Sequence, residues 1–303
     1  MKKNSLKNQI LLGILLASLG TATTFAQSRF VESIKKQEMI SMGKKAYEIR
    51  CSGCHGLEGN GNGPGAKMLT PKPRDFTKGV FKFKTVPLGM MPTNDDLLKT
   101  LNQGIPNSSM PSFALVSDTE KRAIIEYVKT FAGEAWKGQD ETAVVPPLNV
   151  PQGVFDKKAK FLEYARNGRV WFQELGCIVC HGTSARGDGP SAAGLTDSWD
   201  QPITPANLHK RTIKRGYTVQ DIAYSIYQGV DGTPMPAYGT AMEAAEAKYP
   251  EIKEKRYVWE LAAYILYLRG EEAGLYNGEI PAIPEGKISA DEVQKTVGKY
   301  FNP

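Results

Sequence analysis

The sequence has few cysteines and histidines, four and three among 303 residues. All four cysteines and two of the histidines fall in two five-residue segments, and no further cluster of either residue type stands near them. A structural zinc site needs four such ligands at tetrahedral geometry. The scarcity of both residues therefore argues against zinc and directs attention to the two segments themselves.

Long apolar runs are also missing, apart from one near the N-terminus. A basic start precedes the apolar stretch 10–19, and a small-residue cleavage site ends at Ala26, so residues 1–26 are predicted to be a signal peptide. The apolar stretch is shorter than the about 20 residues that span a bilayer, and no cysteine stands near the cleavage site for a lipid anchor. We expect an exported, soluble, periplasmic protein without an integral membrane segment in the mature chain. An uncleaved N-terminal anchor is the alternative.

The chain has only a small excess of positive charge. The formal net charge is +6, and loss of the leader removes three lysines and no acidic residue, which leaves +3. So modest a basic character does not suit a nucleic-acid-binding protein, and we expect no nucleic acid partner. The remaining chain is long enough for two domains of ordinary size.

What is present is the pattern C-x-x-C-H, twice. This is the attachment pattern of c-type haem. Two residues between the cysteines place both sulfurs on one side of a helical turn for thioether bonds to the haem vinyl groups, and the histidine becomes the proximal iron ligand. A thioredoxin-like redox pair or a structural disulfide would leave the histidines unexplained. The sequence predicts two haem c groups, bound at Cys51, Cys54 and His55 and at Cys177, Cys180 and His181.

The two motifs belong to an internal repeat. Cys51 and Cys177 are 126 positions apart, and in each copy a Met-Pro pair follows an aspartate by fourteen positions. The methionines of these pairs are Met110 and Met235. Two domains are therefore predicted, at 27–137 and 154–270, with a proline-bearing linker at 138–153 and a tail at 271–303. We expect the tail to wrap a domain or to reach a partner.

Both copies show helical periodicity, and no convincing strand pattern appears. A glycine and an aromatic residue four positions later share one face of the helix before each haem motif, at Gly43 and Tyr47 and again at Gly168 and Phe172. We favour close contact with another helix over ordinary core packing for these pairs. The predicted helices are 38–50, 94–102, one after Ser117, 219–227, 251–269 and a short one in the tail with Ser289 and Glu292 as a capping box.

Each copy resembles a class I cytochrome c domain. The resemblance covers most of 38–270 and implies an all-α fold of two tandem domains, each wrapped around a covalently bound haem. It also implies Met110 and Met235 as distal iron ligands, opposite His55 and His181. The residues agree with this, because a thioether is a soft, neutral ligand that suits haem iron and raises its potential.

Several residues leave alternatives open. Met91, in a second Met-Pro pair, is an alternative to Met110 as the distal ligand of the first haem, but it has no counterpart in the second copy. His209 could give a bis-histidine haem, although a place on the surface or near a haem propionate is favoured. The carbonyl that orients each proximal histidine stays open among loops that contain Pro64, Pro71, Pro73, Pro190 and Pro205.

Basic residues crowd one loop region in each copy. Such a run is a solvated face, a partner for haem propionates, or a surface that steers an acidic redox partner. The residues are Lys67, Lys72, Arg74, Lys78, Lys82 and Lys84 in the first copy and Lys210, Arg211, Lys214 and Arg215 in the second.

Two haems closed by histidine and methionine leave no open iron site, so we predict an electron-transfer protein without catalytic residues. It would carry single electrons in a respiratory chain, from a periplasmic dehydrogenase to a downstream oxidase or reductase, as a carrier or as the cytochrome subunit of a complex. The alternatives are a dihaem enzyme that resembles a peroxidase and has one open haem, and a docking module of a larger complex.

Overall fold

The computed structural model describes residues 3–139, 148–210, 213–215, 218–239, 256–275, 278–285 and 287–296, with side chains from residue 27 onward except 272 and 296. These residues form helices and loops, and their β-structure is limited to one isolated bridge between Thr196 and Pro202. The predicted all-α fold is confirmed. Among these residues, no helix combines the length and apolar character that crossing a membrane requires.

The helices repeat in the same order around each haem motif. Among the helices that the structure describes, the first five belong to module 1 and the next four to module 2, while the last lies in the tail. They are α1 (Lys3–Arg50), α2 (Ser52–His55), α3 (Asn94–Gln103), α4 (Asp118–Thr130), α5 (Gly133–Trp136), α6 (Lys158–Glu174), α7 (Ile178–His181), α8 (Val219–Tyr227), α9 (Arg256–Glu272) and α10 (Ala290–Thr296), with a 3-10 turn at Ala66–Met68.

The helix boundaries follow local sequence signals. The helices α3 and α8 lie where they were predicted, and each begins in a reciprocal capping box, formed by Thr93 with Asp96 and by Thr218 with Asp221. The helix α1 is longer than the predicted 38–50 because no proline precedes residue 64 to end it. Residues 251–255, where the last helix of module 2 was predicted to begin, lie outside the described residues.

A glycine allows the first and last helices of each module to cross at close range. A Cβ on Gly43 would lie 1.9 Å from the carbonyl oxygen of Ala123, and one on Gly168 would lie 1.9 Å from that of Glu260. The aromatic residue four positions later packs against the same partner helix. The ring centroids are 5.3 Å apart for Tyr47 and Tyr127 and 5.6 Å apart for Phe172 and Tyr264. The predicted close helix contact is confirmed in both modules.

The two modules dock through paired charges, a contact that we call the intermodule seam. Lys82 of module 1 lies 2.8 Å from Asp197 of module 2. Within the described ranges, Lys84 also pairs with Asp231, and Lys99 pairs with Asp221, across the same contact. The Lys84 side chain is 3% exposed. Lys82 and Lys84 thus face carboxylates of module 2 rather than solvent. The sequence had left a solvated face, haem propionates and an acidic redox partner open for them.

The tail wraps module 2. Ile280, Ile283 and Ile288 are buried in the core of that module. Arg169 of α6 binds the tail at two points, since it pairs with Glu292 at 2.6 Å and donates to the carbonyl of Ala282 at 2.9 Å. Of the two expectations for the tail, the described residues support wrapping. The middle of the predicted linker, residues 140–147, lies outside the described residues.

Replacing Gly168 by alanine is expected to destabilise the protein, because the added methyl group cannot fit without moving α6 away from α9. We expect a loss of about 2 to 3 kcal/mol in the free energy of unfolding, measured by guanidinium denaturation followed by far-UV circular dichroism. Gly133→Ala is the control, since a Cβ there meets nothing within 4 Å. Equal stabilities for Gly168→Ala and the wild type would contradict the close crossing.

Candidate haem sites

Each haem motif forms a single helical turn. The turns are α2 and α7, which follow the first helix of each module. The amide of His55 donates to the carbonyl of Cys51 at 2.8 Å, and that of His181 donates to Cys177 at 2.9 Å. This bond spans four residues, so the first cysteine and the histidine lie one turn apart on the same side. Both can therefore approach one planar group.

The four cysteines are free thiols. Burial raises the pKa of Cys51 to about 11 and that of Cys177 to about 12. A thioredoxin-like nucleophile needs a lowered pKa instead. In the described part of the chain, no group of three or more histidine, cysteine or acidic side chains is arranged to hold a metal ion. The geometry fits covalent attachment of the thiols better than a redox pair or a zinc site.

A backbone carbonyl orients the ring of each motif histidine. Nδ1 of His55 lies 2.9 Å from the carbonyl oxygen of Arg74, and Nδ1 of His181 lies 3.0 Å from that of Ala206. Because a carbonyl only accepts, Nδ1 carries the proton and Nε2 keeps the lone pair that can bind iron. Burial lowers the pKa of both imidazoles, which favours the neutral, ligating form.

The sequence did not identify these carbonyls. The acceptors are the residues directly after Pro73 and Pro205, two of the five prolines whose loops were left open. The repeat contained the needed signal, because those two prolines stand eighteen and twenty-four positions after the histidines of their own motifs. The unequal spacing concealed the match.

The two methionines lie in loops of the same conformation. Each methionine carbonyl accepts a bond from the amide five positions earlier, at 3.1 Å for Met110 and 3.2 Å for Met235. Gly104 and Gly229 adopt φ values of 65° and 70°, and a Cβ at either would lie 2.7 Å from the backbone after the methionine. Such positions favour glycine. Both methionines are half-buried, and Met110 packs against the same apolar cluster as Cys51.

The competing side chains are placed elsewhere. Met91 is 7% exposed and packs with Phe81 and Trp136 in an apolar cluster, which fits a core residue. His209 is 8% exposed, so of its two favoured places the surface is wrong, and a place near a haem propionate stays a prediction. Its Nε2 lies 2.8 Å from the carbonyl oxygen of Ser184, in the loop after the second haem motif. Because a carbonyl only accepts, Nε2 carries the proton in this contact and offers no lone pair to iron.

The residues of each module form a donor set that fits haem c. Two free thiols and a neutral imidazole share one helical turn, and a thioether is held on a separate loop that glycine keeps tight. Soft sulfur ligands and imidazole suit haem iron. The role of the two methionines as iron ligands stays a prediction.

Replacing His209 by asparagine is expected to leave the ferric absorption spectrum of the haem-loaded protein unchanged, because its ring contacts a backbone carbonyl. The spectrum of Met235→Ala provides the comparison for loss of a ligand in the same module. A spectrum of His209→Asn that changes as much as that of Met235→Ala would show that His209 binds iron.

The chain is similar to known proteins in sequence and in structure. The family model Cytochrome c matches residues 40–132 and 165–269, which include both haem motifs and both Met-Pro loops. Among solved structures, a chain of the Kuenenia stuttgartiensis reducing HAO-like protein complex is 31% identical with a TM-score of 0.64. That match covers 75% of this chain and 95% of the other. No curated protein matches the chain.

Proposed function

Because the chain belongs to the cytochrome c family and contains two tandem cytochrome c domains, we propose that it is a dihaem cytochrome that transfers single electrons between proteins. Cytochrome c domains imply covalently bound haem c, and the bound haem supplies the one-electron chemistry. The observation that carries the proposal is that the full set of donors is present in both modules, in the same local geometry. A single intact site would support one haem and no internal relay.

In this proposal the chain's own residues attach, orient and close the haem sites. Cys51 and Cys54 hold the first haem, and Cys177 and Cys180 hold the second. Carbonyl contacts fix the two proximal imidazoles. Met110 and Met235 would supply a further ligand to each haem, so that no position would be left for a substrate. The haems would then supply one-electron chemistry without a bond to a substrate, which suits a carrier.

The partners are proposed to be redox proteins. The solved chain similar to this one belongs to a reducing HAO-like protein complex, and the alignment covers nearly all of that chain. We therefore propose that this chain also works beside a partner enzyme, as its electron-transfer component, between an electron-donating dehydrogenase and a downstream oxidase or reductase. Because residues 1–26 are predicted to be a signal peptide, we propose the periplasm as the location of this role.

An enzymatic role with one open haem is the second candidate, and the HAO-like complex of the neighbour favours it. It requires one iron without a methionine ligand. Steady-state consumption of hydrogen peroxide by the purified, haem-loaded protein tests the peroxidase-like form of this candidate. Under the electron-transfer proposal, peroxide is not consumed catalytically.

Removing one methionine is expected to open one iron. The weak far-red band from methionine to ferric iron should show two equivalents in the wild type and one in each of Met110→Ala and Met235→Ala. Met91→Leu is the matched control, because it alters a Met-Pro pair whose methionine lies in an apolar cluster, and should keep both equivalents. A wild type with one equivalent and a high-spin haem would contradict the proposal.

A further inference from the structure

One short segment of module 1, residues 74–76, makes a hydrogen bond and a stacking contact with the His55 ring. The carbonyl oxygen of Arg74 lies 2.9 Å from Nδ1. The ring of Phe76 stacks on the imidazole with centroids 4.5 Å apart and an interplanar angle of 19°. The position of the backbone at 74–76 therefore sets both the hydrogen bond and the plane of the ring.

The side chain of Arg74 leaves module 1 and lies on module 2. Its guanidinium carbon is 3.8 Å from the centroid of the Trp199 ring, a distance at which a cation is attracted to an aromatic face. Burial lowers the pKa of Arg74 to about 10, against the opposing effect of Asp197 and other carboxylates. A planar guanidinium suits this stacked position better than the compact ammonium of lysine.

Trp199 is itself held in place by the intermodule seam. One carboxylate oxygen of Asp197 accepts from the amide of Trp199 at 3.0 Å and from that of Gln201 at 3.1 Å. The other oxygen lies 2.8 Å from Nζ of Lys82, which belongs to module 1. The turn at 197–201 of module 2 is therefore bound to module 1 at two points. Asp197 pairs with Lys82, and Trp199 stacks on the side chain of Arg74.

Module 2 differs at the equivalent position. The carbonyl that orients His181 belongs to Ala206, whose methyl group packs against the apolar core of module 2. The aromatic ring that the structure places beside His181 is that of Phe172, on α6 of the same module, at 6.2 Å and 52°. The described contacts thus connect the proximal histidine to the other module at the first site, through Arg74, and to residues of its own module at the second.

We propose that Arg74 is a positioning residue through which the docking of module 2 fixes the orientation and hydrogen bond of the His55 imidazole. The proposal rests on the proposed function, since it takes His55 as the proximal ligand of the first haem. The hydrogen bond at Nδ1 tunes a haem iron through its histidine. The properties of the first haem therefore depend on the contact between Arg74 and Trp199, and those of the second haem do not.

The test uses the small number of histidines. In the ferrous, haem-loaded protein with [15N]histidine, the solvent exchange of the Nδ1 proton is followed by NMR for His55 and His181. Arg74→Leu keeps the accepting carbonyl and removes the stacked side chain, and Trp199→Ala removes its partner. In both variants we expect exchange at His55 to be about tenfold faster or more, as for a locally opened hydrogen bond, and exchange at His181 to be unchanged.

Two controls separate this linkage from a general loosening of the seam. Lys99→Met removes the ion pair with Asp221 without touching Arg74 or Trp199, and should leave both rates at wild-type values. Trp199→Phe keeps an aromatic face, so exchange at His55 should stay near the wild-type rate. If Trp199→Ala does not fold, Arg74→Leu and Trp199→Phe still give the comparison.

Two results would overturn the inference. One is a wild-type exchange rate at His55 in Arg74→Leu. The other is equal acceleration in Lys99→Met and Arg74→Leu, which would assign the effect to the whole seam. Failure of the proposed function looks different, since it would appear in the wild type itself as a His55 ring without the signals of an iron-bound imidazole.

Discussion

The hydrogen bond from each motif histidine to a backbone carbonyl is the interaction on which both candidate sites depend. It selects the tautomer with a free Nε2, and it fixes the plane of the imidazole before any iron is bound. The carbonyl must come from a loop that folds back over the motif. That requirement accounts for a long loop after each C-x-x-C-H turn. The helices that precede the turns, α1 and α6, are held separately by their packing on α4 and α9.

The intermodule seam places a second constraint on the molecule. Lys84 and Asp231 form an ion pair with little solvent around the lysine, and such pairs give little net stability because burying the charges costs about what their attraction returns. Breaking a pair by removing one partner is nevertheless costly. We therefore expect the seam to specify one docking arrangement more than it strengthens the fold. A fixed arrangement suits a relay, since electron transfer between two sites requires a defined separation.

Features that depend on neighbouring residues could be predicted from the sequence. The two haem motifs, the helix contacts at Gly43 and Gly168 and the bounds of α8 all depend on patterns within a few positions. The capping boxes at Thr93 and Thr218 were equally local and were missed, although Thr-x-x-Asp before a helical stretch is a readable signal.

The remaining features depend on contacts between distant parts of the chain. Lys82 meets a carboxylate 115 positions away, and sequence shows a charge run without its partners. His209 has charged neighbours in the sequence, which suggested the surface, but the path of its loop buries it. The stacking of Arg74 on Trp199 requires two modules in one orientation, which no periodicity reveals.

The central claim is that both irons are closed by ligands from the chain. Low-temperature electron paramagnetic resonance of the fully oxidised, haem-loaded wild-type protein tests it most directly, because low-spin and high-spin ferric haem give separate signals whose integrals count irons. We expect two low-spin haems per chain and no high-spin signal. A high-spin signal that integrates to one iron per chain would show instead that one haem is open.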